Sequence, residues 1–405
     1  MERVILHCDL NCFFASVELL SHPDLRDVPM AVCGDPEERH GIILAKNEPA
    51  KRLGVVTAET IWQARKKAPG LVLLPPHHQL YRHYSHLVNE IYGQYTDLVE
   101  PFGIDESWLD ITGSMHLFGG DGKAIADEIR ARVKRELGLT LSVGVSFNKI
   151  FAKLGSDYQK PDATTVISPD NWQEMVFPLP VGALLFVGKT AQNVLGQYGI
   201  TTIGQLAGCQ VSMLESLLGK MGLQLHEYAC GLERSPVRPQ HEQEAVKSVG
   251  NGTTFSRNLT RWDEVKTGVA LLSDSVALRL RRGDLTCRGV QVVIRDANFQ
   301  NISRQTQLPA PTHLTRDIYQ AALALIQKAW KAPTPIRMLT VTAIHLAPAD
   351  EAFEQLDLLS GPAPQRKEKQ EKLEGAMDAI RDKFGKNAIA FGIAANKTVR
   401  DSGEE

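Results

Sequence analysis

Three acidic residues are spaced so that they could act together. Asp105 and Glu106 are adjacent in the otherwise apolar stretch "PFGIDESWLDITG" (101–113), and Asp9 ends the strand-like run "RVILHCDL" (3–10). Carboxylates gathered on apolar strands repel each other unless a cation lies between them. Their oxygens suit Mg²⁺, and two such ions can bind the attacking and leaving oxygens of a phosphoryl transfer. The simpler alternative is a polar hairpin tip, with Asp9 capping a helix.

The order of the predicted elements favours the first interpretation. Alternating or β-branched runs predict strands, and apolar residues at i, i+4 spacing ending at a glycine predict a helix. The strands are predicted at 3–10, 97–104, 107–112 and 139–147, and the helix at 122–138. This order is that of a split βαβ, or ferredoxin-like, sheet, in which the first and third strands are central neighbours. Asp9 and the 105–106 turn should therefore meet at one edge of the sheet. A helical segment, roughly 13–72, is expected to interrupt the sheet after its first strand.

The rest of the chain differs in composition and charge. Residues 166–232 read as short helices with glycine turns, and 234–248 as an exposed, proline-rich linker. Residues 245–347 mix strands and helices and hold 14 Lys/Arg against 6 Asp/Glu, a net charge of +8. Such an excess favours a polyanionic partner over a merely solvated surface. The tail from 348 has a net charge of −3 and includes a charged helix, 366–384, for which the sequence indicates no function.

Composition places the chain among soluble multidomain proteins. It has 405 residues, of which 43% are hydrophobic, and no apolar run approaches the length that crosses a bilayer. The N-terminus lacks the pattern of a signal peptide. The six cysteines form no CxxC pair, so neither a zinc site nor a disulfide framework is indicated. A cytoplasmic location, without a membrane, is expected.

Three stretches resemble the Y-family, or translesion, DNA polymerases. They are "ILHCDLNCFFASVE", "GIDESWLDIT" and "SVGVSFNKIFAKLGSDYQKP" (142–161), and the match runs in order over nearly the whole chain. The resemblance implies an α+β multidomain fold with a ferredoxin-like palm, small helical fingers, a helix-hairpin-helix thumb and an α/β little finger. These subdomains would span 1–12 and 73–165 (palm), 13–72 (fingers), 166–232 (thumb) and 245–347 (little finger), with a linker at 233–244 and a tail at 348–405.

The resemblance also assigns roles at the acidic site. Asp9, Asp105 and Glu106 would bind two Mg²⁺ ions, and the backbone carbonyl of Leu10 would help to hold the nucleotide metal. Phe13 and Phe14 would lie at the nucleotide. Phe14 falls where the family has its steric gate, a ring that clashes with a 2′-OH, whereas core packing is the expected role of Phe13. Lys160 corresponds to the family lysine that contacts the triphosphate.

The fingers depart from the family pattern. A hydroxyl residue, a tyrosine and an arginine usually face the triphosphate, but this sequence has Ala45, Glu48 and Lys51 at those positions. Lys51 keeps a charge but loses the bidentate fork of arginine. Glu48 should repel a triphosphate unless it turns away or pairs with a neighbouring lysine. Lys46 is the candidate for the missing contact.

Further positions are expected to bind DNA or a partner protein. Glycines in the turns of the thumb would let backbone N–H groups approach a phosphate, although a left-handed turn alone also favours glycine. The thumb candidates are Gly188, Lys189, Gly219 and Gly222. Arginines of the little finger are candidates for phosphate contacts: Arg279, Arg281, Arg282, Arg288 and Arg304. "QLDLL" (355–359) resembles the bacterial sliding-clamp motif, with Gln355, Leu356, Leu358 and Leu359 as its anchors; an incidental amphipathic fragment is the alternative.

The sequence therefore predicts a low-fidelity, template-directed DNA polymerase without proofreading. It would use Mg²⁺, dNTPs and primer–template DNA, bind a sliding clamp, and act as a monomer. The sequence leaves two alternatives open. One is a non-catalytic DNA-binding and clamp-binding adaptor with a polymerase fold, which the departures in the fingers motivate. The other is a nucleotidyl cyclase, because that class also carries acids on a split βαβ sheet.

Overall fold

The computed structural model describes residues 2–35, 41–242, 245–351, 364–385 and 388–392. These residues form two compact units, one up to residue 242 and one from residue 245. No helix in the described ranges is both long enough and apolar enough to cross a bilayer. The strands of the first unit are β1 (Ile5–Leu10), β2 (Met30–Cys33), β3 (Ile43–Lys46), β4 (Val72–Leu74), β5 (Val99–Pro101), β6 (Glu106–Asp110), β7 (Leu141–Ser146) and β8 (Thr164–Ile167). Its helices are α1 (Phe13–Ser21), α2 (Glu48–Arg52), α3 (Ile61–Lys67), α4 (His78–Tyr92), α5 (Gly122–Leu137), α6 (Lys149–Tyr158), α7 (Trp172–Val176), α8 (Lys189–Gln197), α9 (Ile203–Ala207), α10 (Val211–Leu218) and α11 (Lys220–Ala229).

A five-stranded sheet organises the first unit. Its order is β5-β6-β1-β7-β8, and β1 runs antiparallel to both of its neighbours. The first four strands have the order of a split βαβ unit, and β8 extends the sheet parallel to β7. Side chains alternate between the faces of a strand. Leu6 and Cys8 of β1 therefore enter the core formed with α1, α4 and α5, whereas His7 and Asp9 point to the face that α6 covers.

Helix α6 lies unusually close to the sheet. A Cβ built on Gly144 of β7 would fall 1.8 Å from the carbonyl oxygen of Ala152 in α6. Only glycine permits this approach. The close contact brings the lysines of α6 and of the turn that follows it within reach of the acids on β1 and β6.

The segment 13–72 is not purely helical, so that prediction was wrong. It contains α1, α2 and α3, but a three-stranded sheet of order β3-β2-β4 packs with them. Its strands, "MAVC", "ILAK" and "VLL", have only three or four residues. Apolar runs this short cannot be distinguished from helix by periodicity alone.

The chain after β8 folds as predicted into short helices, α7 to α11, around an apolar core. The predicted linker is less exposed than expected at its start. Val237 is buried, and the backbone N–H of Arg238 donates to the carboxylate of Glu100 on β5 (3.0 Å). The carboxylate of Glu233 accepts from the backbone N–H of Lys149 (3.1 Å). Residues 233–238 are thus anchored to the first unit, because their polar groups satisfy buried partners there.

The second unit packs helices on one antiparallel sheet of order β11-β10-β12-β9. Its elements are β9 (Ser248–Leu259), α12 (Trp262–Arg282), β10 (Leu285–Asp296), β11 (Asn301–Thr312), α13 (Thr315–Ala329), β12 (Ile336–Pro348) and α14 (Pro364–Phe384). Alternate residues of β10 and β12 face α12 and α13 across the core. Helix α14 contains the predicted tail helix. It docks on this unit, with Arg381 bonded to Asp274 of α12 at 2.7 Å.

Candidate active site

The structure brings Asp9 and the 105–106 turn together, as the strand order predicted. Asp9 and Glu106 are directly opposite each other in the β1–β6 ladder. The backbone N–H of Leu10 donates to the carbonyl of Asp105 (2.9 Å), which fixes the turn against the end of β1. The side chains of Asp9 and Glu106 are largely buried, with 13% and 18% of their surface exposed. The site therefore holds acids at the sheet edge, partly shielded from water.

Two lysines neutralise these acids. The Lys153 ammonium lies 2.5 Å from Glu106 Oε2 and 3.7 Å from Asp9 Oδ2. The Lys160 ammonium lies 2.7 Å from Asp9 Oδ2 and 2.7 Å from Asp157 Oδ1. Lys160 was predicted as a nucleotide contact, and here it pairs with Asp9. Lys153 was not predicted, although its place one turn after Lys149 on a helix that follows a core strand was a usable signal.

Burial raises the pKa values of Asp105 and Glu106, whereas the neighbouring lysines lower them. Burial alone would raise the pKa of Glu106, but the nearby His7 ring and the hydrogen bond from the Lys153 ammonium lower it to about 2. Burial raises the pKa of Asp105, and the charges of Asp9 and Glu106 raise it further. Burial opposes the charge of Lys160, but Asp9 and Asp157 raise its pKa. Glu106 is thus a firmly ionised carboxylate, while Asp105 lies where negative charge is in excess.

His7 is a member of the site that the sequence analysis missed. Its ring is fully buried, with Nδ1 2.8 Å from the hydroxyl of Ser156 and Nε2 3.4 Å from Glu106 Oε2. Burial lowers the pKa of His7, so the imidazole is neutral at physiological pH. Ligand atoms of His7, Asp9 and Glu106 lie within 4.8 Å of one another. This group has His7 where the sequence analysis expected Asp105.

Phe13 and Phe14, both predicted to lie at the nucleotide, have different surroundings. Phe13 is buried in the core of the first unit, in agreement with the core-packing interpretation. Phe14 is only partly buried and stacks on Tyr81 of α4, with ring centroids 4.1 Å apart and planes at 14°. The hydroxyl of Tyr81 donates to the carboxylate of Glu18, which also accepts a contact from His77 at 2.9 Å. The Phe14 ring is therefore held in one orientation by the Tyr81 ring on which it stacks.

The unusual glutamate of the 43–54 stretch is paired. Lys51 lies 3.3 Å from Glu48 on α2, and Glu48 also accepts a contact from the thiol of Cys12 at 3.5 Å. Lys46 donates to the hydroxyl of Thr57 at 2.9 Å. The pairing of Glu48 with a neighbouring lysine is one of the two arrangements expected to prevent repulsion of a triphosphate.

The predicted DNA contacts of 184–232 divide into two kinds. Gly188 precedes α8, and a Cβ there would meet no atom within 4 Å; Lys189 is the first residue of that helix. Gly219 lies between α10 and α11 with φ 63° and is equally open. Gly222 lies inside α11, and a Cβ there would fall 2.1 Å from the carbonyl of Leu214. The turn assigned to Gly222 was therefore wrong, because this glycine serves close helix packing.

Two of the predicted phosphate-binding arginines bind the tail helix instead. Arg281 is largely buried and pairs with Glu374 and with Asp378 (2.6 Å), and Arg282 pairs with Asp382. The assignment of Arg281 to DNA was wrong, because acidic residues about 95 positions later in the chain neutralise it. The remaining candidates, Arg279, Arg288 and Arg304, are exposed. The predicted clamp motif, 355–359, lies outside the described residues.

Comparisons with known proteins agree over both units. The impB/mucB/samB family matches residues 8–157, and the C-terminal domain of the same family matches 246–358. A DNA polymerase IV of Acetivibrio thermocellus is 46% identical over 97% of this chain and 98% of its own length. A DNA polymerase IV 1 of Bacillus subtilis is 36% identical over 98% and 94%, respectively.

A solved structure supports the same fold. A Y-family DNA polymerase chimera superposes with a TM-score of 0.74 over 84% of this chain and 98% of its own, at 22% identity. At this identity the superposition shows a similar fold only. The family matches and the two polymerases show similarity of the amino-acid sequence. The chain belongs to the impB/mucB/samB family, the Y-family of translesion DNA polymerases.

Proposed function

We propose that this protein is a template-directed, low-fidelity DNA polymerase of the translesion class. It adds a nucleotide from a dNTP to a primer 3′-OH and releases pyrophosphate, without proofreading. The observation that carries the proposal is the opposition of Asp9 and Glu106 across β1 and β6, beside Lys153 and Lys160. Relatives named DNA polymerase IV and DNA polymerase IV 1 align with this chain over nearly its whole length.

The acids are suited to hold two Mg²⁺ ions. Polymerases of this family are generally metal-dependent, and the donors here are hard carboxylate oxygens, to which the Leu10 carbonyl would add a backbone ligand. The ammonium groups of Lys153 and Lys160 contact Glu106 and Asp9, respectively. These carboxylate oxygens therefore already stabilise positive charge, as a metal site requires. When bound, such ions lower the pKa of a primer 3′-OH and balance the charge of a triphosphate.

The side chains of this chain perform the remaining tasks. Lys160, and Lys51 and Lys46 from the 43–54 stretch, would neutralise charge on the triphosphate as it develops in the transition state. Phe14 would exclude a ribonucleotide, because the Tyr81 ring beneath it prevents it from moving away from a 2′-OH. His7, neutral and buried, would orient the Glu106 carboxylate.

We assign the subdomains on the same basis. The five-stranded sheet would be the palm (1–12 and 73–165), the smaller sheet with its helices the fingers (13–72), α7 to α11 the thumb (166–232), and β9 to β12 the little finger (245–347). Gly188, Lys189, Gly219 and the exposed Arg279, Arg288 and Arg304 would contact DNA phosphates. Binding of a sliding clamp through 355–359, a monomeric state and a cytoplasmic location remain predictions.

Primer extension tests the proposal. Wild-type protein with Mg²⁺, dNTPs and a primer–template should extend the primer, whereas Asp105→Ala should bind the same DNA and fail to extend it. Asp127→Asn, on the surface of α5, is the matched control and should extend normally. A wild type that binds primer–template but never extends it would show that the adaptor interpretation is correct.

The adaptor interpretation is not favoured by the observations. It rested on Ala45, Glu48 and Lys51, and the negative charge of Glu48 is paired with Lys51 at 3.3 Å. The full-length relatives carry the name of a polymerase. The cyclase alternative is tested by incubating the protein with nucleoside triphosphates in the absence of DNA, where no cyclic product should form.

A further inference from the structure

Phe186, in the loop before α8, adopts a conformation that its side chain disfavours. Its φ is 69°, in the left-handed region that favours glycine, and 52% of its surface is exposed. A bulky residue persists in this region only where the surroundings impose it, and such residues concentrate at functional sites. The exposed ring in this strained loop is therefore a candidate for contact with a ligand.

Phe186 belongs to a row of four aromatic side chains, which we call the aromatic strip: Trp108, Phe102, Phe186 and Tyr228. The ring centroids of Trp108 and Phe102 are 4.6 Å apart, those of Phe102 and Phe186 6.5 Å, and those of Phe186 and Tyr228 6.4 Å. Trp108 is buried, whereas Phe102 and Phe186 expose 40% and 52% of their surfaces. The middle of the strip is thus an uncovered apolar surface in the first unit.

The strip begins at the acidic site. The backbone N–H of Phe102 donates to the carbonyl of Glu106 (2.9 Å), so Phe102 is part of the same turn as the acids. An open cleft of about 420 Å³ runs between α6 and the loop 182–188. Lys153, whose ammonium lies 2.5 Å from Glu106, and Phe186 both line this cleft. A ligand that occupies the cleft can therefore touch the aromatic rings and extend to the carboxylates.

The charges along the strip indicate the chemistry of that ligand. Lys153 lies at its acidic-site end, the Lys149 ammonium lies 4.6 Å over the Trp108 ring, and Lys189 follows the loop of Phe186. Glu100 neutralises Lys149 at 2.7 Å, and Glu227 and Glu233 lie near Tyr228. Exposed aromatic rings combined with lysines are typical of surfaces that bind a nucleic-acid strand, because each base has a π-face and each phosphate a negative charge.

We propose that Phe102 and Phe186 seat the terminal nucleotides of the primer strand, and that Phe186 is a positioning residue for the 3′-OH. The inference rests on the proposed polymerase function and adds to it the surface that aims the primer. The primer end is the occupant because it must reach Asp9 and Glu106, where the strip begins. The rings contact the sugar and base of that nucleotide, while Lys189, the first residue of α8, lies toward its phosphate.

Substitutions at Phe186 test this without relying on catalysis. Binding of a primer–template to the full chain is measured without dNTP, in the Asp105→Ala background. Phe186→Gly should raise the Kd about fivefold or more, the lower end of what loss of one base–aromatic contact does. It should leave the melting temperature unchanged or raise it, since glycine relieves the left-handed strain. Phe186→Trp should bind as the parent does, and Phe186→Leu should resemble Phe186→Gly.

A fluorescent base identifies the occupant. With 2-aminopurine at the primer terminus, binding should quench the base in the parent and in Phe186→Trp, and quench it less in Phe186→Gly. Ala58→Gly is the matched control, because Ala58 is exposed with φ 68° and its change relieves the same strain without removing a ring. It should leave both the Kd and the quenching unchanged.

The outcomes separate this inference from the proposed function. An unchanged Kd and unchanged quenching in Phe186→Gly would overturn the inference, even if the wild type extends primers. A response of 2-aminopurine in the template strand but not in the primer would also overturn it. Loss of primer binding in Phe186→Gly would support it, even if the wild type proved unable to extend the primer.

Discussion

Replacing Lys153 by methionine removes a charge but keeps the length of the side chain. The Lys153 ammonium lies 2.5 Å from Glu106 Oε2, and both side chains are less than 20% exposed. A pKa of about 2 for Glu106, instead of the ordinary 4.5, corresponds to about 3 kcal/mol of stabilisation at 1.36 kcal/mol per tenfold change. His7 and Lys153 share that effect, so we expect Lys153→Met to lower the free energy of unfolding at pH 7 by about 1 to 2 kcal/mol.

The pH dependence makes the prediction specific. Because the pKa of Glu106 is lower in the folded state, its stabilisation is fully present above about pH 4.5 and is lost as the pH falls toward 2. The difference between Lys153→Met and wild type depends on the folded-state pKa of Glu106 in each protein, which lies below 4.5 in both as long as His7 remains. It should therefore keep its pH 7 value down to about pH 4 and shrink as the pH falls from there toward 2. Urea unfolding in EDTA, followed by tryptophan fluorescence, measures it.

A surface lysine provides the control. Lys134 pairs with Asp162 at 2.9 Å, but its side chain is 61% exposed, so Lys134→Met should cost less than about 1 kcal/mol. A deficit of Lys153→Met that is the same at pH 2.5 as at pH 7 would mean that lost packing, and not the charge pair with Glu106, is responsible. The absence of any deficit at pH 7 would refute the reasoning outright.

Four further predictions concern other parts of the chain. Phe14→Ala should raise the incorporation of ribonucleotides relative to deoxynucleotides at least tenfold, on the order of the 1.4 kcal/mol that one steric contact controls; an unchanged ratio of kcat/KM values would remove the gate assignment. Arg281→Ala should destabilise the second unit by about 3 kcal/mol, as expected for one partner of a buried pair, and leave the salt dependence of DNA binding unchanged. Arg304→Ala should instead make the log–log salt slope shallower by about 0.9. Gln355→Ala with Leu358→Ala should weaken retention on an immobilised sliding clamp and spare distributive synthesis; equal retention would discard the motif.

The central sheet could be predicted because its elements obey simple periodicities. Strands β1, β6 and β7 are five or six residues long and contribute buried apolar side chains to the sheet, and α5 has an apolar stripe that ends at Gly138 with φ 70°. Given those elements, the split βαβ order follows, and with it the meeting of Asp9 with the turn after β5. The candidate acids were therefore accessible from strand order and charge alone.

What could not be predicted depends on contacts between distant segments. Lys153 reaches Glu106 only because Gly144 lets α6 lie against the sheet, and no local pattern encodes that approach. Arg281 looked like a phosphate contact because its partners, Glu374 and Asp378, are more than ninety residues away. A local excess of positive charge says nothing about which of its members a remote acidic helix will neutralise.

The charge balance of the site explains why adjacent acids are tolerated at Asp105 and Glu106. Glu106 and Asp9 each have an ammonium group within 2.7 Å, from Lys153 and Lys160. Among the residues that the structure describes, no ion pair reaches the Asp105 carboxylate, and burial, Asp9 and Glu106 raise its pKa. Asp105 is thus the least compensated of the three acids, since only its own backbone N–H and the charge of Lys160 lower its pKa. A bound cation gains most from such a weakly compensated carboxylate, since the repulsion that it relieves is already present in the fold. The lysines pair with the other two acids, so the charges of those two carboxylates are already balanced in the folded chain.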